Sequence, residues 1–118
     1  MHEMSVCLSL LQQVEKIAAE HQATGVAKIL LKIGPLSGVE ADLLRRAYPV
    51  AVAGTIAENA ELVIDTSEVV VRCTECGSTS NVPPNRLLCS ECGDFRTQIV
   101  SGDEMTLQSI ELETAAAG

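Results

Sequence analysis

Cys73-Thr74-Glu75-Cys76-Gly77 and Cys89-Ser90-Glu91-Cys92-Gly93, with twelve residues between Cys76 and Cys89, are the stretches that decide how this chain folds. Two thiolates three positions apart on a tight turn grip one metal ion, and the glycine directly after each pair lets the backbone take the positive φ that such a turn demands. Two of these turns facing each other complete a tetrahedral cage of four sulfurs. The pattern predicts a structural Zn2+ site on Cys73, Cys76, Cys89 and Cys92. A lobe over 72–96 is too short to bury much apolar surface, so the metal must supply its stability.

Outside the lobe, composition narrows the choices. A chain of 118 residues makes one domain, or a small domain carrying a smaller lobe, and 47% hydrophobic content excludes a disordered chain. With one Tyr, one Phe and no Trp, the core must be built from Val, Leu, Ile and Ala. The net charge of −8 argues against nucleic acid and anionic membrane partners, and four thiolates around one divalent ion make the balance more negative still. Between Arg72 and Arg96 the only other basic residue is Arg86. An acidic chain suits a cationic partner or a metal cation instead.

No apolar run approaches the roughly 18 residues of a membrane span. The first residues hold no Lys or Arg and no unbroken apolar stretch, so no secretory leader is expected. Five cysteines with two C-x-x-C pairs fit a reducing compartment, and the cytoplasm is the expected location.

Val6, Cys7, Leu10, Leu11, Val14, Ile17, Ala18 and His21 fall at helical spacing and predict an amphipathic helix from about Met4 to His21, ended by Thr24-Gly25. Val26 to Ile33 predicts a strand. Gly34-Pro35-Leu36-Ser37-Gly38 is a loop. Ser37-Gly38-Val39-Glu40 then reads as a capping box that starts a second helix with Leu43, Leu44, Ala47, Tyr48 and Ala51 on its apolar positions; this helix crosses Pro49.

Glu61 to Val71 predicts a strand bent near Thr66-Ser67. Gln98–Val100 and Met105–Glu113 predict two strands joined as a hairpin through Ser101-Gly102-Asp103. In the last strand Met105 and Leu107 share one face while Ile110 and Leu112 share the other, which calls for a bulge or burial on both faces. Ala115 to Gly118 reads as a frayed tail. The fold class is α+β: two helices packed on a small mixed β-sheet, with an inserted zinc-ribbon-like lobe of four cysteines. The expected division is an α/β domain over 1–71 and 97–118, and the zinc lobe over 72–96.

A second metal site is readable at Met1-His2-Glu3. His2 is bulky, so the initiator Met1 is expected to stay and keep a free α-amine. That amine, the deprotonated amide of His2 and its imidazole form two fused chelate rings around one ion, and the Glu3 amide closes a square plane. Four nitrogens in a plane suit Ni(II) or Cu(II), not Zn(II). A helix N-terminal acid favoured by the macrodipole explains the Glu3 side chain equally well. Glu40 is explained by its capping box, Cys7 by burial on the first helix, and His21 by the helix C-terminal dipole or the surface.

The whole chain resembles the HypA/HybF family of hydrogenase maturation factors. The resemblance rests on M-H-E at the start, K-I-G-P-L-S-G-V-E at 32–40, G-T-I-A-E-N-A-E-L at 54–62, both C-x-x-C-G knuckles, and G-D-E-M-T-L-Q-S-I-E-L-E at 102–113. It departs from the family pattern at Asn59, where Gly is frequent, and at Tyr48-Pro49, where Phe is. The resemblance implies a carried Ni2+ at Met1, His2 and Glu3, and a structural Zn2+ on Cys73, Cys76, Cys89 and Cys92. It further implies delivery to the precursor of the [NiFe]-hydrogenase large subunit, and partnership with the nickel-handling GTPase of that pathway (HypB-like).

No nucleophile–base pair, carboxylate dyad or phosphate-binding loop is present, and Gly34–Gly38 lacks the lysine of a P-loop. The chain is expected not to be an enzyme. Two other readings use the same cage: a zinc-ribbon adaptor without a second metal, and a rubredoxin-like iron electron carrier.

Overall fold

The computed structural model describes residues 2–115, with His2 placed by its backbone alone. The element order is α1 (His2–Glu20), β1 (Ala23–Ile33), α2 (Ala41–Val52), β2 (Glu61–Thr66), β3 (Val70–Cys73), β4 (Thr79–Asn81), β5 (Thr97–Ser101) and β6 (Met105–Thr114). Two helices, small sheets and a four-cysteine lobe give the α+β class expected. The strands form two three-stranded sheets, β2-β1-β6 and β4-β3-β5, where the sequence suggested one.

The chain gathers into two compact units. The first comprises Met1–Leu31, Glu40–Ile64 and Leu107–Gly118, the second Lys32–Val39 and Asp65–Thr106. In the first, the apolar stripe of α1 buries Cys7, Leu10, Leu11, Val14 and Ala18, and α2 buries Leu44, Tyr48 and Val52, one per turn. The helices pack on each other, and the Cys7 Sγ sits 3.7 Å from the Leu44 carbonyl oxygen. The Tyr48 hydroxyl donates to the Ala60 carbonyl at 3.2 Å, so the one buried phenol is satisfied.

Three local expectations are corrected. The first helix ends at Glu20, and Gln22, at φ 55°, makes the left-handed exit. Thr24 and Gly25 lie inside β1, where Thr24 Oγ1 donates to the Glu113 carbonyl. The capping box does not form: the Ser37 hydroxyl accepts from Val39 N at 3.2 Å, closing a turn two residues on. Glu40 is the N-cap residue of α2, but its side chain makes no capping bond.

The third correction concerns the C-terminal strands. β5 pairs antiparallel with β3, and β6 belongs to the other sheet, so the expected hairpin is absent. The middle residue of its expected turn is bonded elsewhere, with Leu36 N donating to the Gly102 carbonyl at 2.7 Å, and just past that turn Gly34 N donates to the Glu104 carbonyl at 2.8 Å. The awkward parity of β6 resolves as a change of phase. Met105, Leu107, Ile110 and Leu112 are half-buried, and the two exposed neighbours Gln108 and Ser109 mark the change. α2 continues through Pro49 to Val52. Of the expected tail, residues 116–118 lie outside those described.

The core of the second unit is small: Val69, Val71 and Val82, with Leu36 and Leu87 packed against them. Buried valines contribute on the order of 2 kcal/mol each. A structural zinc contributes roughly 10–16 kcal/mol in small modules, so the cage outweighs this core.

Candidate metal centre

The four sulfurs meet. The Sγ atoms of Cys73, Cys76, Cys89 and Cys92 all lie within 4.8 Å of one another. Cys73 and Cys92 are 3.6 Å apart and Cys76 and Cys89 3.5 Å, far beyond the roughly 2.05 Å of a disulfide. Metal–sulfur bonds near 2.3 Å in a tetrahedron give edges of about 3.8 Å, so the donor set fits one tetrahedral ion. Four soft thiolates and no oxygen donor match Zn2+, in a closed site with no position left for substrate.

The two turns share one hydrogen-bond plan. In the first, Gly77 N donates to the Cys73 carbonyl at 3.0 Å and Cys73 N to the Ser78 carbonyl at 2.9 Å. In the second, Gly93 N donates to the Cys89 carbonyl and Cys89 N to the Asp94 carbonyl, each at 2.9 Å. Gly77 and Gly93 take φ of 77° and 76°, the conformation the C-x-x-C-G spacing demanded.

Backbone amides then point at the leading sulfurs: Glu75 N and Cys76 N at Cys73 Sγ, both 3.4 Å, and Cys92 N at Cys89 Sγ, 3.5 Å. Such donors stabilise thiolate charge before any metal arrives. Cys73 and Cys89, which lead the pairs, are buried; Cys76 and Cys92 are exposed.

Hydrogen bonding from Ser78 draws the Cys76 thiol down to about 6. The Asp94 backbone favours the Cys92 thiolate, but hydrogen bonding with Cys73, Cys76 and Cys89 and the loss of some solvation beside those sulfurs hold it up at about 12. Zinc displaces the thiol protons when it binds.

Sequence reading missed two supports. β4 pairs with β3 (Arg72 opposite Thr79) and backs the first turn; three polar residues carry no strand signal. Arg96 belongs to no motif. Its carbonyl accepts from Thr74 N and Oγ1 at 2.9 and 2.8 Å, and its guanidinium reaches Asp94 and Glu75.

At the other predicted site, Met1 and the His2 side chain lie outside the described residues. Glu3 stands half-buried in the first turn of α1 beside Met4, Leu43, Arg46, Ala47 and Val50, which with it line a cavity of about 310 Å³. Because α1 begins at His2, the amides of His2 and Glu3 are among the first four of the helix and have no intrahelical acceptor. Burial, then the Glu3 charge, pushes the Cys7 thiol up, as befits an inert core thiol. His21 Nδ1 lies 2.9 Å from the Ile17 carbonyl oxygen, at the helix end.

An α+β scaffold that carries a closed tetrathiolate centre defines a metal-binding protein stapled by its own ion. The chain belongs to the HypA family, described as hydrogenase/urease nickel incorporation metallochaperones, whose model matches residues 1–112. It is 48% identical over 114 residues to hydrogenase maturation factor HypA of Nitrosospira multiformis, covering 97% of this chain and 99% of that one. Against HypA of Aquifex aeolicus it is 43% identical, with 96% and 98% covered.

The fold resembles the solution structure of the Ni metallochaperone HypA from Helicobacter pylori, with a TM-score of 0.71 at 25% identity over 96% of this chain and 98% of that one. A second solution structure of a HypA protein gives 0.75 at 26% identity, with 98% of each covered. No helix among the described residues is long and apolar enough to cross a membrane.

Proposed function

We propose that this chain is a nickel carrier that binds Ni(II) at Met1, His2 and Glu3 and hands it over during [NiFe]-hydrogenase maturation. The family match across residues 1–112 carries the reading, because it includes both the M-H-E start and the two cysteine knuckles. Membership favours the nickel carrier over an adaptor or an iron electron carrier.

The proposed ligands are the Met1 α-amine, the His2 amide and imidazole, and the Glu3 amide. Their planar nitrogen field suits Ni(II), and amides in the first turn of a helix have no intrahelical hydrogen bond to give up. Cys73, Cys76, Cys89 and Cys92 would hold Zn2+, which supplies cross-linking and no reaction chemistry. The carrier works in the cytoplasm and catalyses nothing itself. It relies on the nickel-handling GTPase of the pathway for nucleotide hydrolysis, and its acceptor is the hydrogenase large-subunit precursor.

Nickel titration of zinc-loaded protein with a native N-terminus tests this. One Ni(II) per chain with a planar-nitrogen spectrum is expected, lost in His2→Ala and in a chain extended before Met1, with zinc content unchanged. Equal nickel in wild type and His2→Ala would overturn it.

A further inference from the structure

The two edges of the β4-β3-β5 sheet are dressed differently. β4 offers three polar residues, and Asn81 donates its side-chain amide to Glu68. β5 reads Thr97-Gln98-Ile99-Val100-Ser101, with none of the charges or prolines that blunt an exposed edge. Ile99 is 42% and Val100 59% exposed, and Phe95, just before the strand, is 75% exposed.

Ile99 stands opposite the fully buried Val71, so the two share the face of the sheet that carries the core. Ile99 is uncovered because β5 has a neighbour on one side only. Val100 is the extra residue of a bulge, since Val70 faces Ser101 and Val71 faces Ile99. The bulge turns one side chain outward but leaves Thr97, Gln98 and Ile99 in register with Cys73, Arg72 and Val71. An edge with open backbone groups and uncovered apolar side chains has the chemistry of strand addition.

Charge selects the occupant. The second unit holds seven Asp and Glu against four Lys and Arg, and Arg96 is already engaged by Asp94 and Glu75. A second copy would bring the same negative excess to the edge. We propose that the outer edge of β5 is a docking site for an extended segment of a partner protein, apolar at alternate positions and flanked by Lys or Arg, which adds a fourth strand to this sheet. The proposal stands apart from nickel binding and uses no residue of that site.

The probe is an end-blocked peptide of roughly ten residues, alternating valine and threonine between paired lysines, added to the full zinc-loaded chain. Fluorescence anisotropy is expected to show binding that weakens with salt, and hydrogen exchange to show new protection of those amides within residues 98–101 that β3 leaves open, since Thr97 N already donates to the Phe95 carbonyl. Val100→Asp, at an exposed bulge, is expected to weaken binding roughly tenfold while keeping its zinc. The exchange footprint is read on the wild-type chain, so it does not hang on that variant.

Four results would overturn the proposal. The lysine-flanked peptide fails to bind; a glutamate-flanked or backbone N-methylated peptide binds equally well; protection appears away from β5; or the β5 amides are already protected in a dimer that Val100→Asp dissolves, which assigns the edge to a second copy.

Discussion

Arg96 grips Asp94 with two parallel hydrogen bonds, Nε to Oδ1 at 3.0 Å and Nη2 to Oδ2 at 2.8 Å. The same guanidinium reaches back 3.3 Å to Glu75, inside the first cysteine turn. One side chain thus links the two halves of the cage. Its hydrogen bonds hold the Asp94 carboxyl down at about 2.

Arg96 is 55% exposed, so solvent screens these pairs and each contributes little to stability. Arg96→Ala is therefore expected to keep fold and zinc but to release zinc to a chromogenic chelator about two- to fivefold faster. A release rate equal to wild type would show that the backbone bonds of the two turns hold the cage unaided.

Zinc removal separates the two units. Chelation removes a contribution of roughly 10–16 kcal/mol, and Cys73→Ser at a buried sulfur removes part of it, from a unit whose apolar cluster is built on Val69, Val71 and Val82. Hydrogen exchange is expected to lose protection across β3, β4 and β5 while α1 and α2 keep theirs. Simultaneous loss in both helices would mean that the units fold as one.

Gly34 is fixed by what lies beside it. A Cβ there would collide with the Gly102 carbonyl oxygen, a backbone atom held by its bond from Leu36 N. Gly34→Ala is expected to cost about 1–3 kcal/mol in denaturant unfolding, as overpacking does. Pro35→Ala, at an exposed position next door, is expected to cost well under that. Similar losses in both would refute the close approach as the cause.

Glu104 gives the fold an acid-sensitive contact. Its carboxylate accepts from the Ser67 hydroxyl and from Gly102 N, which lowers its pKa below the ordinary 4.5. A depressed carboxyl stabilises the fold above its ordinary pKa, and that contribution fades as pH falls below 4.5 toward the folded value. Thermal melts of Glu104→Gln are expected to vary less with pH than wild type on the acid side. Parallel pH profiles for the two proteins would remove Glu104 from the account.

The helices and the cage were legible because their signals are local. Cys7, Leu10, Val14 and Ala18 repeat at the helical period, and C-x-x-C-G states both the ligands and the turn that presents them. The expected capping box gave way to a local turn in which Ser37 accepts from Val39 N, whereas the expected β5–β6 hairpin failed at long range. Ser101-Gly102-Asp103 had a sound local rule for a hairpin turn, but backbone groups of residues 34, 36, 102 and 104 bond across some 70 residues of sequence. A window of neighbours does not see that pairing.

By itself, the sequence pointed to a tetrathiolate metal site on Cys73, Cys76, Cys89 and Cys92, an acidic chain with an aliphatic core, and two helices, since each depends on residues a few positions apart. Tertiary structure alone decided that the strands divide into two sheets, that Arg96 links the cysteine turns, that Gly34 must lack a side chain, and that β5 ends its sheet with apolar residues uncovered. Those four facts come from segments distant in the chain and adjacent in space. Backbone hydrogen bonds and steric contact act at that range, and residue order does not display them.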